Sequence, residues 1–210
     1  MRRLTNNVAG IEELISRLDA EGEREPRAAL AVLIAQNPAM VTALLVAARA
    51  SPRIRIRRWA LAGLASFPDR RVRSVLLAAL TDEAMTIRLH AIHALVARRD
   101  RRAGPHLVRL LKDVSGGIRV NAAQALGALR ISSAAPALVR ALRDPQWYVR
   151  QTAAWSLGHL RWSLARAALR RCTEDARKAV RAAAILALAQ LTEPSVRRAQ
   201  KSSYTPGRAL

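Results

Sequence analysis

The stretch Asp144-Pro145-Gln146-Trp147-Tyr148-Val149-Arg150-Gln151-Thr152-Ala153-Ala154-Trp155-Ser156-Leu157-Gly158-His159-Leu160 decides the fold, because its pattern returns every 31 residues. Ile56, Ile87, Ile118, Val149 and Val180 form one column, and Arg57, Arg88, Arg119, Arg150 and Arg181 form the next. A block of small apolar residues follows each, as in Ala60-Leu61-Ala62-Gly63-Leu64 and Ala122-Ala123-Gln124-Ala125-Leu126, with a weaker copy at Ala29-Leu30-Ala31-Val32-Leu33. The other half of the repeat carries its own column of Leu14, Leu45, Leu76, Leu107, Leu138 and Leu169. Leu18, Leu80, Leu111 and Leu142 follow four residues on. Apolar residues at i, i+3, i+4 and i+7 in each half predict two amphipathic helices per repeat. One such hairpin cannot bury its apolar face alone, so neighbours must stack into an array.

Punctuation supports this register. Asp82, Asp113, Asp144 and Asp175, with Ser51 in the same column, precede the first helix of a repeat and are expected to be its N-caps. Pro52 and Pro145 are expected at the first helical position, and Asn37-Pro38, Gly104-Pro105 and Ala135-Pro136 open second helices. The array is expected to open with a lone second-type helix from about Val8 to Asp19 and to close near Leu191, with a last short helix over 194–200. The chain thus divides into a flexible N-terminus at 1–7, a single solenoid at 8–200 and a disordered tail at 201–210.

Composition bounds the rest. Apolar residues make up 51% of the 210 residues but aromatics only 3%, so the core is built from Ala, Leu, Val and Ile. No useful stretch alternates with period two, and no sheet is expected. The charge of +21, from 36 Lys+Arg against 15 Asp+Glu, attracts polyanions and repels basic partners. The single Cys172 rules out an internal disulfide. No apolar segment follows the charged N-terminus, so it does not read as a signal peptide. Residues 28–48 are uncharged and long enough to span a bilayer, but Asn37-Pro38 in their middle reads instead as a turn between two buried helices. The expectation is a cytoplasmic protein without membrane insertion.

The pattern Asp144-Pro145-x-x-x-Val149-Arg150-x-x-Ala153-Ala154-x-x-Leu157-Gly158-x-Leu160, preceded by Ala135-Pro136-Ala137-Leu138-Val139-x-Ala141-Leu142, resembles HEAT repeats, specifically the short subclass named after phycobilin lyases. The resemblance covers roughly residues 8–200. It implies an all-α, right-handed α-solenoid of about six two-helix repeats. It also implies that the recurrent Asp caps a helix, that the recurrent Arg pairs along the stack, and that the second helices line the concave surface. It says little about function, because such arrays carry many unrelated binding roles.

Function in a solenoid is written in positions the fold does not require. Two residues after the core Leu of each second helix stand Ser16, Ala47, Ala78, Arg109, Arg140 and Arg171. Three residues further on stand Asp19, Ala50, Thr81, Lys112, Arg143 and Glu174. Both columns share one helical face. Arg109, Lys112, Arg140, Arg143 and Arg171 therefore form a basic stripe across the last three repeats, with stacked helices about 8–10 Å apart. A second basic column, Arg99, Arg130 and Arg161, lies in the loop inside each repeat, with Arg98, Arg101 and Arg102 around it. Trp147, Tyr148, Trp155 and Trp162 fall within one repeat and are expected beside the stripe, either as local core filling or as a binding hot spot.

His90 and His93 stand three apart on one helix, but no Cys or carboxylate at ligand spacing joins them, so no metal is expected. Arg170 and Arg171 precede Cys172 and would depress its pKa, although a buried inert thiol is the simpler reading. There is no nucleophile elbow, phosphate-binding glycine loop or paired-carboxylate pattern, and no cofactor or small-molecule substrate is implied. The expected function is a non-catalytic scaffold that binds the phosphate backbone of nucleic acid. The alternative is an adaptor for an acidic protein partner. Enzymatic readings rank lower. A HEAT-like DNA glycosylase would need a Trp–Asp–Trp set that cannot be placed here, and a bilin-lyase role would rest on the subclass name alone.

Overall fold

A computed structural model describes residues 11–35 and 39–192. The expected N-terminus at 1–7, the helix start at Val8, the Asn37-Pro38 turn, the short helix over 194–200 and the tail at 201–210 lie outside these residues. Among the described residues all regular structure is helical. Helix α1 spans 11–17. It is followed by α2 (Arg24–Ala35), α3 (Ala39–Ala50), α4 (Ile54–Leu64), α5 (Arg70–Ala79), α6 (Met85–Ala97), α7 (Gly104–Leu110), α8 (Gly116–Ala128), α9 (Ala135–Ala141), α10 (Trp147–His159), α11 (Arg166–Cys172) and α12 (Lys178–Thr192). One-turn 3₁₀ segments at Arg101–Ala103, Ser132–Ala134 and Ser163–Ala165 lead into α7, α9 and α11.

The even-numbered, mostly longer helices stack in chain order into one layer, α2 on α4 through to α10 on α12. The odd-numbered helices form the other layer, and from α3 onward each packs on the even-numbered helix that follows it. The stretch 28–48, ambiguous in sequence, is two helices, α2 and α3. Among the described residues no helix is long and apolar enough to cross a membrane.

The repeated columns make the core. Ile87, Ile118, Val149 and Val180 are buried from the even layer, and Leu76, Leu107, Leu138 and Leu169 from the odd layer. Each such side chain contributes about 1.5–3 kcal/mol. Small residues set how closely the even helices approach. A Cβ on Gly158 would come within 2.8 Å of the Ala187 Cα, and one on Gly127 within 2.8 Å of the Ser156 hydroxyl. That buried hydroxyl donates to the Ala123 carbonyl oxygen at 2.8 Å, tying α10 to α8.

The Asp and Arg columns form a ladder. Arg57 meets Asp82, Arg88 meets Asp113, Arg119 meets Asp144 and Arg150 meets Asp175, at 2.7–3.1 Å. The last two pairs are bidentate, the stronger geometry for guanidinium and carboxylate. Each Arg also donates back to a main-chain carbonyl six residues earlier, as Arg150 does to Asp144 O at 2.9 Å. Arg181 keeps that bond to Asp175 O but meets no carboxylate among the described residues.

Two local expectations are corrected. The ladder Asp is not the N-cap. Asp82, Asp113, Asp144 and Asp175 lie two residues before it and accept from the N–H of Ala84, Ser115, Gln146 and Arg177, closing a turn. Pro52 and Pro145 consequently sit in that turn rather than at the first helical position, since α4 starts at Ile54 and α10 at Trp147. The short loop leaves no room to both turn the chain and start the helix at once. Pro105 and Pro136 do stand in the first turns of α7 and α9.

Candidate functional site

Helices α7, α9 and α11 are only seven residues long. Pro105 and Pro136 fit their first turns, where a missing N–H costs nothing. Their core leucines face α8, α10 and α12, so the residue two further on points away from the core. Arg109, Arg140 and Arg171 are accordingly exposed. Lys112 and Arg143, expected on the same helical face, lie in the turn just past the helix end. Their N–H groups bond Arg109 O and Arg140 O at 3.0 Å. Cations there also complement the helix C-terminal dipole.

Arg140, Arg143 and Arg171 come together. With Val139, Leu142, Ala168, Cys172 and Asp175 they line one cleft of about 490 Å³ between α9 and α11. Its only carboxylate, Asp175, is already held by Arg150, which keeps its pKa below the usual 3.8. Arg109 and Lys112 stand at equivalent places one repeat earlier, outside this cleft. Among the described residues none of the five stripe cations meets a carboxylate, in contrast to the ladder arginines. Burial raises the Cys172 pKa and outweighs the opposing influence of Arg150 and Arg171, so the thiol stays protonated.

The loop column sits at special backbone. Arg99, Arg130 and Arg161 have φ of 52°, 53° and 50°, in the left-handed region that favours glycine. Each ends a long helix, and the next N–H reaches back across the last turn, as Asp100 N does to Leu95 O at 3.0 Å. All three side chains are exposed. The neighbouring arginines differ in use. Arg98 donates to the Leu64, Ala65 and Phe67 carbonyls at the end of α4, and Arg101 to Arg130 O at 2.9 Å. Arg102 is exposed.

The aromatic residues do not gather beside the stripe. Trp155 stacks on His159 with ring centroids 4.1 Å apart. It lines a separate cleft of the even layer with Gln124, Gln151, Thr152 and Leu186. That cleft shares no residue with the cationic one. Tyr148 is local filling, because a Cβ on Gly116 would come within 2.5 Å of its hydroxyl. Trp147 meets Tyr148 edge-on and is partly exposed, while Trp162 packs against the core at the loop. Helical period separates these residues: Trp155 lies two turns along α10, on the side away from the short helices. His93 is bonded to Asn121 at 3.1 Å and His90 to Thr86 O at 2.7 Å.

One feature of the same odd layer was not legible as a site. Ile11, Ile15, Val46, Ala47 and Ala50 line a mostly apolar cleft of about 640 Å³ between α1 and α3, with the Glu12 carboxylate among its lining. Its signal was the lack of cations at the stripe positions there, which are Ser16, Asp19, Ala47 and Ala50.

Comparison with known proteins agrees with the architecture. A family model described as HEAT repeats matches residues 41–127 and 110–189. No curated protein matches the sequence. Among solved structures, the complex of CpcE and CpcF of phycocyanin lyase from Nostoc sp. PCC7120 is 26% identical with a TM-score of 0.63. The match covers 74% of this chain and 65% of that one, so this chain spans less than two thirds of its length. The Escherichia coli protein YibA is 22% identical over 85% of this chain and 69% of its own, with a TM-score of 0.69. A designed armadillo repeat protein in complex with the peptide (KR)4 is 20% identical over 86% of this chain and 98% of its own, with a TM-score of 0.58. The period, the ladder and the family match together identify the chain as a member of the HEAT-repeat family, an α-solenoid with short repeats of the phycobilin-lyase type.

Proposed function

We propose that this solenoid is a non-catalytic scaffold whose odd-layer face binds the phosphate backbone of nucleic acid. One observation carries the reading: Arg109, Lys112, Arg140, Arg143 and Arg171 are exposed and meet no carboxylate among the described residues, while the aspartates are engaged in the ladder, in caps or, at Asp19, by Arg53. Guanidinium groups left unpaired at repeat spacing suit a ligand with regularly spaced anions, and such contacts position without reading sequence. Arg99, Arg130 and Arg161 add a second row along the loop edge. If about five phosphates are engaged, log K should fall with log salt at a slope of roughly −4 to −5 on duplex DNA. The variant carrying Arg109→Ser, Arg140→Ser and Arg171→Ser should keep its helicity and lose about 2.7 of that slope. An unchanged slope would remove the stripe from the site.

The cleft between α1 and α3 favours a second reading, an adaptor for a protein whose acidic groups meet the stripe while its apolar side chains reach the Ile11, Ile15 and Val46 end of the same face, past Glu12. Purification with and without nuclease separates the two, because an acidic protein stays bound after nuclease and nucleic acid does not.

A further inference from the structure

The cleft between α9 and α11 is more than a row of cations. Arg140, Arg143 and Arg171 stand exposed at its rim, and Val139, Leu142, Ala168 and Cys172 line it between them. Leu142 is 5% exposed, and Ala168 and Cys172 are each 7% exposed, so they form its floor. None of these four side chains is a strong donor. The Cys172 thiol meets no hydrogen-bond partner among the described residues. Asp175, the remaining lining group, is held by Arg150. A volume of about 490 Å³ is that of a small-molecule pocket, far more than a phosphate resting on the rim would fill. The equivalent positions one repeat earlier are of the same kind, with Val108, Leu111, Ala137 and Ala141 for the floor and Arg109, Lys112 and Arg140 for the rim.

We propose that the nucleic acid taken by the stripe is single-stranded, and that this cleft seats one of its bases while Arg140, Arg143 and Arg171 hold the flanking phosphates. The proposal rests on the phosphate-binding reading of the stripe and narrows it. In a duplex the bases are paired and stacked inside the phosphate rails, so a duplex laid on the stripe meets the arginines and leaves the apolar floor facing water. A single strand can turn a base out of the stack. Guanidinium planes at the rim offer the flat cationic surface on which bases stack, and their forked donors match phosphate oxygens. The floor of Leu142, Ala168 and Cys172 takes the uncharged body of the base. An acidic peptide fits less well. It places carboxylates and apolar groups on separate residues, whereas each nucleotide carries its anion and its base on one sugar, within reach of one cleft.

Fluorescence anisotropy on the full chain tests this with two labelled strands of equal length and charge, an oligothymidylate and an abasic deoxyribose-phosphate strand. Both should lose affinity as salt rises, with a log–log slope of about −0.7 for each phosphate engaged. The thymidylate should bind about five- to tenfold more tightly at every salt concentration, the low end of what one seated base contributes. Ala168→Leu, which fills the floor, should bring the thymidylate down to the level of the abasic strand, with far-ultraviolet dichroism reporting that the helices persist. The unaltered chain gives an independent readout, because Cys172 is its only thiol. At equal occupancy the thymidylate should slow alkylation of Cys172 by N-ethylmaleimide about fivefold or more relative to the abasic strand. Equal affinity for the two strands, a thymidylate advantage that survives Ala168→Leu, or equal shielding of Cys172 would overturn the seated base and leave phosphate binding standing. A peptide of alternating Glu and Leu that shields Cys172 as well as the thymidylate does would overturn it too, by making a protein the occupant. A flat salt dependence for both strands removes the phosphate reading itself.

Discussion

The cleft between α1 and α3 and the cleft between α9 and α11 occupy equivalent places in the array, yet their chemistry is opposite. Each lies between consecutive odd-layer helices, behind the same leucine column, with Leu45 and Leu138 both buried. The first is walled by Ile11, Ile15, Val46, Ala47 and Ala50, with Val46 59% exposed. The second presents Arg140, Arg143 and Arg171 around a spent carboxylate. Ala47 and Arg140 belong to one column, but Ala47 is buried where Arg140 is exposed, whereas Ala50 and Arg143, the next column, are exposed at both ends. The exposed difference between the two ends is therefore the part that is free of architectural demand. The odd-layer face runs from mostly apolar to cationic within a single array.

The largest expected effect comes from erasing or extending that difference. Replacing Arg140, Arg143 and Arg171 with Ala should cost between about a hundredfold and a thousandfold in DNA affinity near 0.1 M salt, with the salt slope shallower by about 2.7. The converse pair, Val46→Arg with Ala50→Arg, both at exposed positions, should steepen the slope by about 2 by carrying the cationic track onto α3. Fluorescence titration over a salt series reads both. If the transplanted arginines change nothing, the ligand does not run along this face.

The second contrast lies between arginines that are spare and arginines that are spent. Asp144→Asn leaves Arg119 enclosed and unpaired. It should destabilise the fold by about 2–4 kcal/mol, less than a fully buried pair because the side chains keep some solvent contact. The DNA slope should not move. Acid probes the same ladder. Arg150 bonds Asp175 and lowers its carboxyl pKa from the ordinary 3.8. The unfolded chain therefore takes up this proton more readily than the folded one. Stability from the pair is fully present above about pH 4 and is lost as pH falls through the lowered value. Asp175→Asn should flatten that acid limb, measured as the urea midpoint against pH, while the neutral-pH midpoint drops.

How much of this was legible depended on whether a residue answered to its own repeat or to its neighbours. The 31-residue columns placed Ile87, Leu107 and Arg119 correctly because their roles recur in every repeat. The exposure of Arg109, Arg140 and Arg171 followed from the same register. The loop defeated the reading at the Asp column, since nothing in Asp144-Pro145 distinguishes a cap from a turn two residues earlier. The aromatic group was misread for a different reason. Trp147, Tyr148, Trp155 and Trp162 are near in sequence, but the first three stand on α10, in the layer opposite the stripe, where helical rotation turns Trp155 into a separate cleft and Tyr148 over Gly116. Proximity in one repeat says little about proximity in space when a repeat has two faces.

The smallest effect tests the loop column, where two causes predict opposite signs. Arg99 and Arg130 hold φ near 50°, a conformation costing a non-glycine residue about 1 kcal/mol or more. Glycine would relieve that strain but loses more backbone freedom on folding, so Arg99→Gly and Arg130→Gly should each raise stability by only about 0.5–1 kcal/mol. Arginines retained at such positions for their charge should also give up about one unit of salt slope each when removed. A gain in thermal midpoint together with a shallower slope marks the loop edge as a second phosphate-contacting row. A gain in midpoint with the slope unchanged confines binding to the stripe, and the contrast between the two ends of the odd-layer face then accounts for all of it.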